Sequence, residues 1–295
     1  MKLRELSRHV FFLEDQPNIG LIREGDAAIL VDSGAHEKTA AALLKILERE
    51  GLYPLAIINT HGHADHCGGN HHIKSETGAL IHAPQIEASF IQSPLLEPLG
   101  LFSGANPPHE LKTDLVKGSP VDHVIGDGEK SLAFETLELN IIRLPGHSPN
   151  QVGLALEDIL FCGDAIFSEE LLDYYKIPYH TDIVRQKETL ALLRDSRYNL
   201  YVPAHSPPFK DAAGLARYNL DIIEGVERFL LRSLQRPRTA EEVMQELCAR
   251  YGIEISKIKN GYLMHTITQA FLSSLREQGA LTVGIRNNLP CWRKR

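Results

Sequence analysis

The sequence predicts an α/β domain followed by a small, mainly helical domain, and three observations lead to this prediction. Strand-like and helix-like stretches alternate up to Pro208, and longer helical stretches follow it. The 295 residues are 43% hydrophobic and 23% charged, which is typical of a globular protein with a buried core. Collagen, a coiled-coil rod and a small disulfide-stapled scaffold are therefore excluded. We predict an α/β domain over 1–210, a connecting helix over 211–235 and a second domain over 236–295.

The first domain begins with three β stretches, at 10–13, 19–22 and 27–31, and the third runs into Asp32-Ser33-Gly34, a turn signal. Apolar residues at 40, 43, 44 and 47 predict a helix over 37–50. Further strands are expected at 55–59, 79–82, 132–134, 137–144, 152–156, 159–162 and 200–202, with helices at 69–76 and 184–195. The Pro- and Gly-rich stretch 91–120 is expected to be an insertion or lid loop.

The C-terminal part starts with an amphipathic helix over 213–234, which ends before Pro237 because proline cannot extend a helix. Thr239 and Glu242 form a capping-box pattern at the start of the next helix. A third helix over 261–277 and a β stretch over 281–285 complete a pattern that suggests a winged helix. From Arg236 onward there are ten basic and five acidic residues, a net charge of +5. The third helix carries a single basic residue, Arg276, so specific DNA binding is not expected.

The sequence gives no sign of a membrane span or a secretory signal. Its apolar runs are far shorter than the roughly 20 residues that a membrane helix needs. The first residues lack both an apolar stretch and a cleavage site. The four cysteines form no Cys-x-x-Cys pair and are expected to be reduced thiols. We therefore expect a cytoplasmic protein.

The strongest functional signal follows the strand predicted at 55–59. His61, His63, Asp65 and His66 lie within six residues in Thr-His-Gly-His-Ala-Asp-His-Cys-Gly-Gly. Imidazole nitrogens and carboxylate oxygens are ligands that zinc, manganese or iron accept. A loop directs alternate residues to different sides, so His61 and His63 can face one ion while Asp65 and His66 face a second.

Three further candidate ligands each follow another predicted strand. They are His147 in Leu-Pro-Gly-His-Ser, Asp164 in Phe-Cys-Gly-Asp, and His205 in Val-Pro-Ala-His-Ser. Their shared position after apolar runs suggests that all three converge on the first cluster. His180, in an aromatic stretch after Asp164, is expected either to line a substrate pocket or simply to cover the edge of the domain.

In this order, the seven residues resemble the metallo-β-lactamase superfamily, and the match covers about 10–208. The resemblance implies a four-layer αβ/βα sandwich with two divalent metal ions at one edge, zinc being favoured over iron or manganese. By this analogy His61, His63 and His147 hold the first ion, Asp65, His66 and His205 hold the second, and Asp164 bridges them. It also gives Asp65 a catalytic role in directing the nucleophile or a proton. Many relatives have Gly-His-Gly around the last ligand, where this chain has Ala204-His205-Ser206.

The resemblance further implies a hydrolase that uses a bridging hydroxide, of the glyoxalase II-like branch with an appended winged helix. The expected substrate is a thioester, an ester or a phosphodiester, and the motif favours a thioester. The first alternative is an endoribonuclease or phosphodiesterase, so a nucleic-acid substrate stays open beside a small molecule. The second is a persulfide dioxygenase with one iron held by His61, His147 and Asp164, and a third is a ligand-sensing regulator. The C-terminal domain would help to form the substrate cleft or a homodimer.

Overall fold

The computed structural model describes residues 1–295, and two β-sheets form its centre. The first has seven strands in sequential order: β1 (Lys2–Glu5), β2 (Val10–Glu14), β3 (Ile19–Glu24), β4 (Ala27–Val31), β5 (Tyr53–Ile58), β6 (Leu80–Pro84) and β7 (His123–Ile125). The second has five, in the order β12-β11-β10-β9-β8: β8 (Ser131–Ala133), β9 (Glu138–Arg143), β10 (Val152–Leu156), β11 (Ile159–Gly163) and β12 (Leu200–Pro203).

The sequence predicted only some of the helices that lie between β1 and β12. Three correspond to predicted helices: α1 (Glu37–Arg49), α3 (Asn70–Thr77) and α7 (Ile183–Asp195). Four short ones were not predicted: α2 (Ala64–Cys67), α4 (Gln85–Gln92), α5 (Leu96–Leu101) and α6 (Glu169–Tyr175). The expectation that 91–120 is purely a loop was wrong at α5, whose Pro98 and Leu101 are buried. Proline and glycine within that helix hide its periodicity.

The sheets and helices stack in four layers. The side chains of β4 pack into two different interfaces between these layers. Ala28 and Leu30 pack with Leu43 of α1 on the outer face of the first sheet. Ile29 and Val31 point the other way, into the core between the two sheets. On the far side of the second sheet, Leu160 of β11 packs with residues of α7. The mixed α/β sandwich expected from the resemblance is thereby confirmed.

Beyond β12 the chain is helical up to a hairpin. It forms α8 (Ala212–Ser233), α9 (Ala240–Tyr251) and α10 (Ile258–Glu277), followed by β13 (Leu281–Arg286) and β14 (Leu289–Lys294). The capping box of Thr239 and Glu242 is present at the start of α9. A single hydrophobic cluster extends from Leu144 through α7 and α8 to Phe271 of α10, so the C-terminal helices share a core with the second sheet. The winged-helix assignment and the boundaries at 210 and 235 stay predictions. None of the helices is both long enough and apolar enough to cross a membrane.

Candidate metal centre

The candidate ligands lie at one edge of the sandwich because several strands end there. β4 and β5 are parallel, and the segment after β5 carries His61 and His63 in a loop and Asp65 and His66 on the short helix α2. β11 and β12 are also parallel, and Asp164 and His205 follow their ends. The carboxyl ends of neighbouring parallel strands meet at the same sheet edge, where α/β proteins commonly bind ligands. β9, which precedes His147, is antiparallel to β10, as β11 is, so β9 and β11 end at the same edge. The seven candidates therefore converge although they span 61 to 205 in sequence.

Three imidazoles form a first donor group. The Nδ1 atom of His63 lies 3.0 Å from Nε2 of His61 and 3.0 Å from Nε2 of His147. His61 and His147 are buried, whereas His63 is partly exposed. The three nitrogens lie within 4.8 Å of one another, so the group can hold one cation.

Asp65, His66 and His205 form a second donor group. The Oδ2 atom of Asp65 lies 3.8 Å from Nε2 of His66 and 3.4 Å from Nε2 of His205. Asp164 lies between the two groups, with Oδ1 3.4 Å from Nε2 of His66, and Oδ2 3.4 Å from Nε2 of His147 and 3.3 Å from Nε2 of His205. One carboxylate therefore contacts donors of both groups.

Two observations show that these residues fit divalent ions. The Nε2 atom of His66 and the Oδ1 atom of Asp164 are buried and have no hydrogen-bond partner, which is costly unless something else occupies the space between them. At a bond length of about 2.1 Å, the ligand atoms of a tetrahedral zinc ion lie about 3.4 Å apart. The donor separations here run from 3.0 to 3.8 Å. The centre therefore has both the donor chemistry and the spacing of a metal site.

The charges of the two groups differ. Burial and the neighbouring imidazoles lower the pKa of His61 well below its ordinary value, and burial lowers that of His147 to about 3, so both rings are neutral ligands at pH 7. Burial would also lower the pKa of His205, but Asp164 and Asp65 outweigh it and raise that pKa to about 9. Burial has the same effect on His66, where the neighbouring carboxylates again outweigh it and raise the pKa. Without metal, the second group therefore attracts protons to the place where a cation would be held.

Asp32 and Thr60 orient one imidazole of each group. The Nδ1 atom of His66 donates to Oδ2 of Asp32 at 2.8 Å, and the Thr60 hydroxyl donates to the same oxygen at 2.8 Å. Nδ1 of His61 lies 3.1 Å from the Thr60 hydroxyl and donates to it when Nε2 binds a metal ion. Asp32 thus fixes the tautomer of His66 directly and that of His61 through Thr60.

Two other buried polar side chains hold the ligand loops together. Glu87 accepts from the backbone N–H of Gly62, from the Ser148 hydroxyl and from the backbone N–H of Asn150, so it joins the loops that carry His61 and His147. The Nδ2 atom of Asn18 donates to the carbonyls of Pro203 and Ser206, which flank His205. The segment between α6 and α7 is also attached to the centre, because Nδ1 of His147 donates to the carbonyl of Tyr179 at 2.9 Å.

Comparison with known proteins identifies the family. The profile of the Metallo-beta-lactamase superfamily matches residues 13–205. The chain belongs to this superfamily. Its curated relatives include the "Probable metallo-hydrolase YqgX" of Bacillus subtilis, 27% identical over 155 residues that span 52% of this chain and 67% of that protein. Hydroxyacylglutathione hydrolase 1 of Vibrio vulnificus is 28% identical over 150 residues, 51% of this chain and 47% of that enzyme. The match thus spans only about half the length of the hydroxyacylglutathione hydrolase.

Similarity to a solved structure extends further along the chain. A metallo-beta-lactamase family protein from Thermus thermophilus superposes with a TM-score of 0.74 at 21% identity, covering 100% of this chain and 98% of that one. At this identity the likeness establishes the fold alone. As a metallo-beta-lactamase superfamily hydrolase, the protein is a metal-dependent enzyme.

Close backbone packing explains the glycines in the superfamily motif. A Cβ atom on Gly68 would lie 2.1 Å from the carbonyl oxygen of Ala35, and one on Gly62 would lie 2.9 Å from that of Glu87. Any larger residue at Gly68 would push the ligand loop away from the first sheet.

The structure brings all seven predicted ligands together, and it also shows what the sequence left out. His180 is buried, with its ring edge to face with that of the candidate ligand His147 at a centroid distance of 6.1 Å. Asp32, Glu87 and Asn18 were not predicted. Of these three, only Asp32 could have been recognised from the sequence, because it directly follows a buried strand, as the candidate ligands do.

Proposed function

We propose that this protein is a dinuclear metal-dependent hydrolase that cleaves thioesters. The observation that carries the dinuclear part is the position of Asp164, one carboxylate within 3.4 Å of donors in both groups. Zinc is favoured because imidazole and carboxylate donors at near-tetrahedral spacing suit it. Bound divalent ions would lower the pKa of water toward neutrality and polarise the scissile carbonyl.

The protein residues supply orientation and proton handling around this chemistry. Asp65 is the candidate for proton transfer, because its side chain is 45% exposed at the centre whereas that of Asp164 is 6% exposed. Burial alone would raise the pKa of Asp65, but the neighbouring imidazoles outweigh it and lower that pKa, so Asp65 is ionised at pH 7 and can accept a hydrogen bond. Thr60 and Asp32 keep the ligand rings from rotating.

The preference for a thioester is supported by the relatives. Hydroxyacylglutathione hydrolase 1 of Vibrio vulnificus acts, by its name, on an acyl derivative of glutathione, and it matches about half of this chain. More than half of that enzyme lies outside the match, so its substrate is carried over here as a proposal.

A substrate panel with metal analysis on the same sample tests the proposal. We expect turnover of an acyl-glutathione thioester, with two divalent ions per chain. Asp164→Asn should lower kcat/KM by at least about 100-fold, since it removes the shared ligand. Asp158→Asn, an exposed carboxylate in the turn before β11, is the matched control and should leave activity unchanged. Turnover only of bis(p-nitrophenyl)phosphate or short RNA would replace the thioesterase with a phosphodiesterase, and one iron with oxygen uptake would contradict a hydrolase.

A further inference from the structure

A buried asparagine in the C-terminal part of the chain holds the segment that follows the candidate shared ligand. Asn219 is 3% exposed and lies in α8, beyond residue 205, where the match to the superfamily profile ends. The segment it holds is 164–167, which leads from β11 toward α6 and is buried at all four residues. The first of these residues is Asp164, so the support of this segment bears on the metal centre.

The side-chain amide of Asn219 bonds both backbone groups of Phe167. Its Oδ1 atom accepts from the backbone N–H of Phe167 at 3.1 Å, and its Nδ2 atom donates to the carbonyl of the same residue at 2.8 Å. Nδ2 also donates to the carbonyl of Leu215, one turn earlier in α8, at 2.9 Å. Because Phe167 belongs to no strand or helix, this amide supplies the pair of bonds that a neighbouring strand would otherwise supply.

Phe167 in turn contacts a candidate ligand of the first ion. Its ring meets that of His147 edge to face, with centroids 5.8 Å apart, and lies 5.9 Å from the ring of His180. The imidazole of His147 is also held by the bond from Nδ1 to the carbonyl of Tyr179. A single hydrogen bond does not fix the plane of a ring, so packing against Phe167 contributes to the orientation of this ligand.

The 164–167 segment is also held from a second helix. Nε2 of Gln186, in α7, donates to the carbonyl of Ala165 at 2.8 Å. Two side-chain amides, from α7 and α8, therefore fix the backbone directly after Asp164. Three residues of chain span at most about 10 Å, so Phe167 lies close to that carboxylate.

We propose that Asn219 is a positioning residue of the metal centre. By holding Phe167 it fixes the orientation of His147 and the place of Asp164. Helix α8 is then part of the centre, although it lies outside the match to the superfamily profile. This inference rests on the metal centre of the proposed function and adds a residue that supports it.

Asn219→Ala and Leu230→Ala separate positioning from stability. Both variants replace a buried side chain of α8 with alanine, and Leu230 lies three turns from Asn219, about 16 Å along the helix. In chelator competition we expect the zinc affinity of Asn219→Ala to fall about tenfold, the lower end of the range found when residues that support ligands are replaced. The zinc affinity of Leu230→Ala should stay within about twofold of the wild type.

Cobalt(II) in place of zinc reports on the geometry of the centre, because its visible absorption bands depend on how the ligands are arranged. These bands should change in Asn219→Ala and not in Leu230→Ala. Hydrogen exchange adds a measurement that needs no metal. The Phe167 amide should be protected in the wild type, where the Asn219 side chain is its acceptor, and should exchange about tenfold faster in Asn219→Ala. An unprotected Phe167 amide in the wild type would overturn the inference even if the variant does not fold.

A zinc affinity and a cobalt spectrum of Asn219→Ala equal to those of the wild type would also overturn the inference. Equal losses in Leu230→Ala would do the same, since only stability would then be affected. None of these measurements involves turnover. If the affinity falls as expected but no thioester is cleaved, the role of Asn219 stands and the proposed reaction fails. If thioesters are cleaved and the centre of Asn219→Ala is unchanged, the reaction stands and this inference fails.

Discussion

Asp32→Asn should weaken metal binding although Asp32 touches neither candidate ion. The carboxylate accepts three hydrogen bonds: one on Oδ1 from the Thr60 backbone N–H at 2.8 Å, and two on Oδ2, from the Thr60 hydroxyl and from Nδ1 of His66. An amide has a single oxygen. In either orientation its NH₂ group faces an N–H, so at least one buried donor loses its acceptor.

The expected size of the effect follows from that single loss. A hydrogen bond to a charged group is worth about 1.5–3 kcal/mol, and each 1.4 kcal/mol is a factor of ten in affinity. Zinc affinity should therefore fall by about ten- to a hundredfold, the range generally found when residues that support metal ligands are replaced. The loss should be greater for the ion held by His66, because Asp32 bonds that ring directly.

Competition with a chromogenic chelator measures the zinc affinity, and circular dichroism checks that the fold is retained. Asp26→Asn is the control, because Asp26 is an exposed carboxylate in the turn before β4, the strand that Asp32 follows. A zinc affinity of Asp32→Asn within twofold of the wild type would refute the argument that Asp32 fixes the ligand tautomers.

Four further predictions concern the centre, its supporting residues and the C-terminal core. Glu87→Gln should reduce kcat/KM about tenfold or more in a thioester assay, because the neutral amide cannot accept all three hydrogen bonds that join two ligand loops. Asn18→Ala should release one of the two ions under mild chelation, measured as metal content, since it frees the loop of His205. The pKa of His205 is raised to about 9, so its protonation stabilises the metal-free protein fully below about pH 6.5, and this stabilisation is lost as the pH rises through 9. The urea midpoint of the metal-free protein should therefore fall over this pH range. The fall should be smaller in His205→Ala. Phe271→Ala should lower the free energy of unfolding by about 3–5 kcal/mol in urea titrations, and a loss under 1 kcal/mol would show that the C-terminal helices do not share the core.

The sequence was sufficient to find the seven candidate ligands, which converge in the structure, because their signal is local. Histidine and aspartate residues at short spacing, or directly after apolar strands, can be recognised without knowledge of the fold. Strand positions such as β4 and β10 were predicted to the residue, since both strands are buried along their whole length and are bounded by turns. Helix α9 was recognised from its capping box, which is also a short-range pattern.

The supporting residues could not be found in this way because their roles depend on contacts between distant segments. Asp32 meets His66 across 34 residues, and Asn18 meets the carbonyl of Pro203 across 185. Helix α5 was missed for the same reason. Its Leu101 is buried within the folded protein, and the neighbouring Phe102 packs against Tyr262 of α10, so tertiary packing rather than local periodicity defines this segment.

The most direct measurement is anomalous X-ray diffraction from a crystal grown with saturating zinc. Two peaks per chain are expected, about 3.5–4 Å apart, one at His61, His63 and His147, and the other at Asp65, His66 and His205, with Asp164 bonded to both. A single peak at saturating zinc, or two peaks without Asp164 between them, would contradict a dinuclear centre.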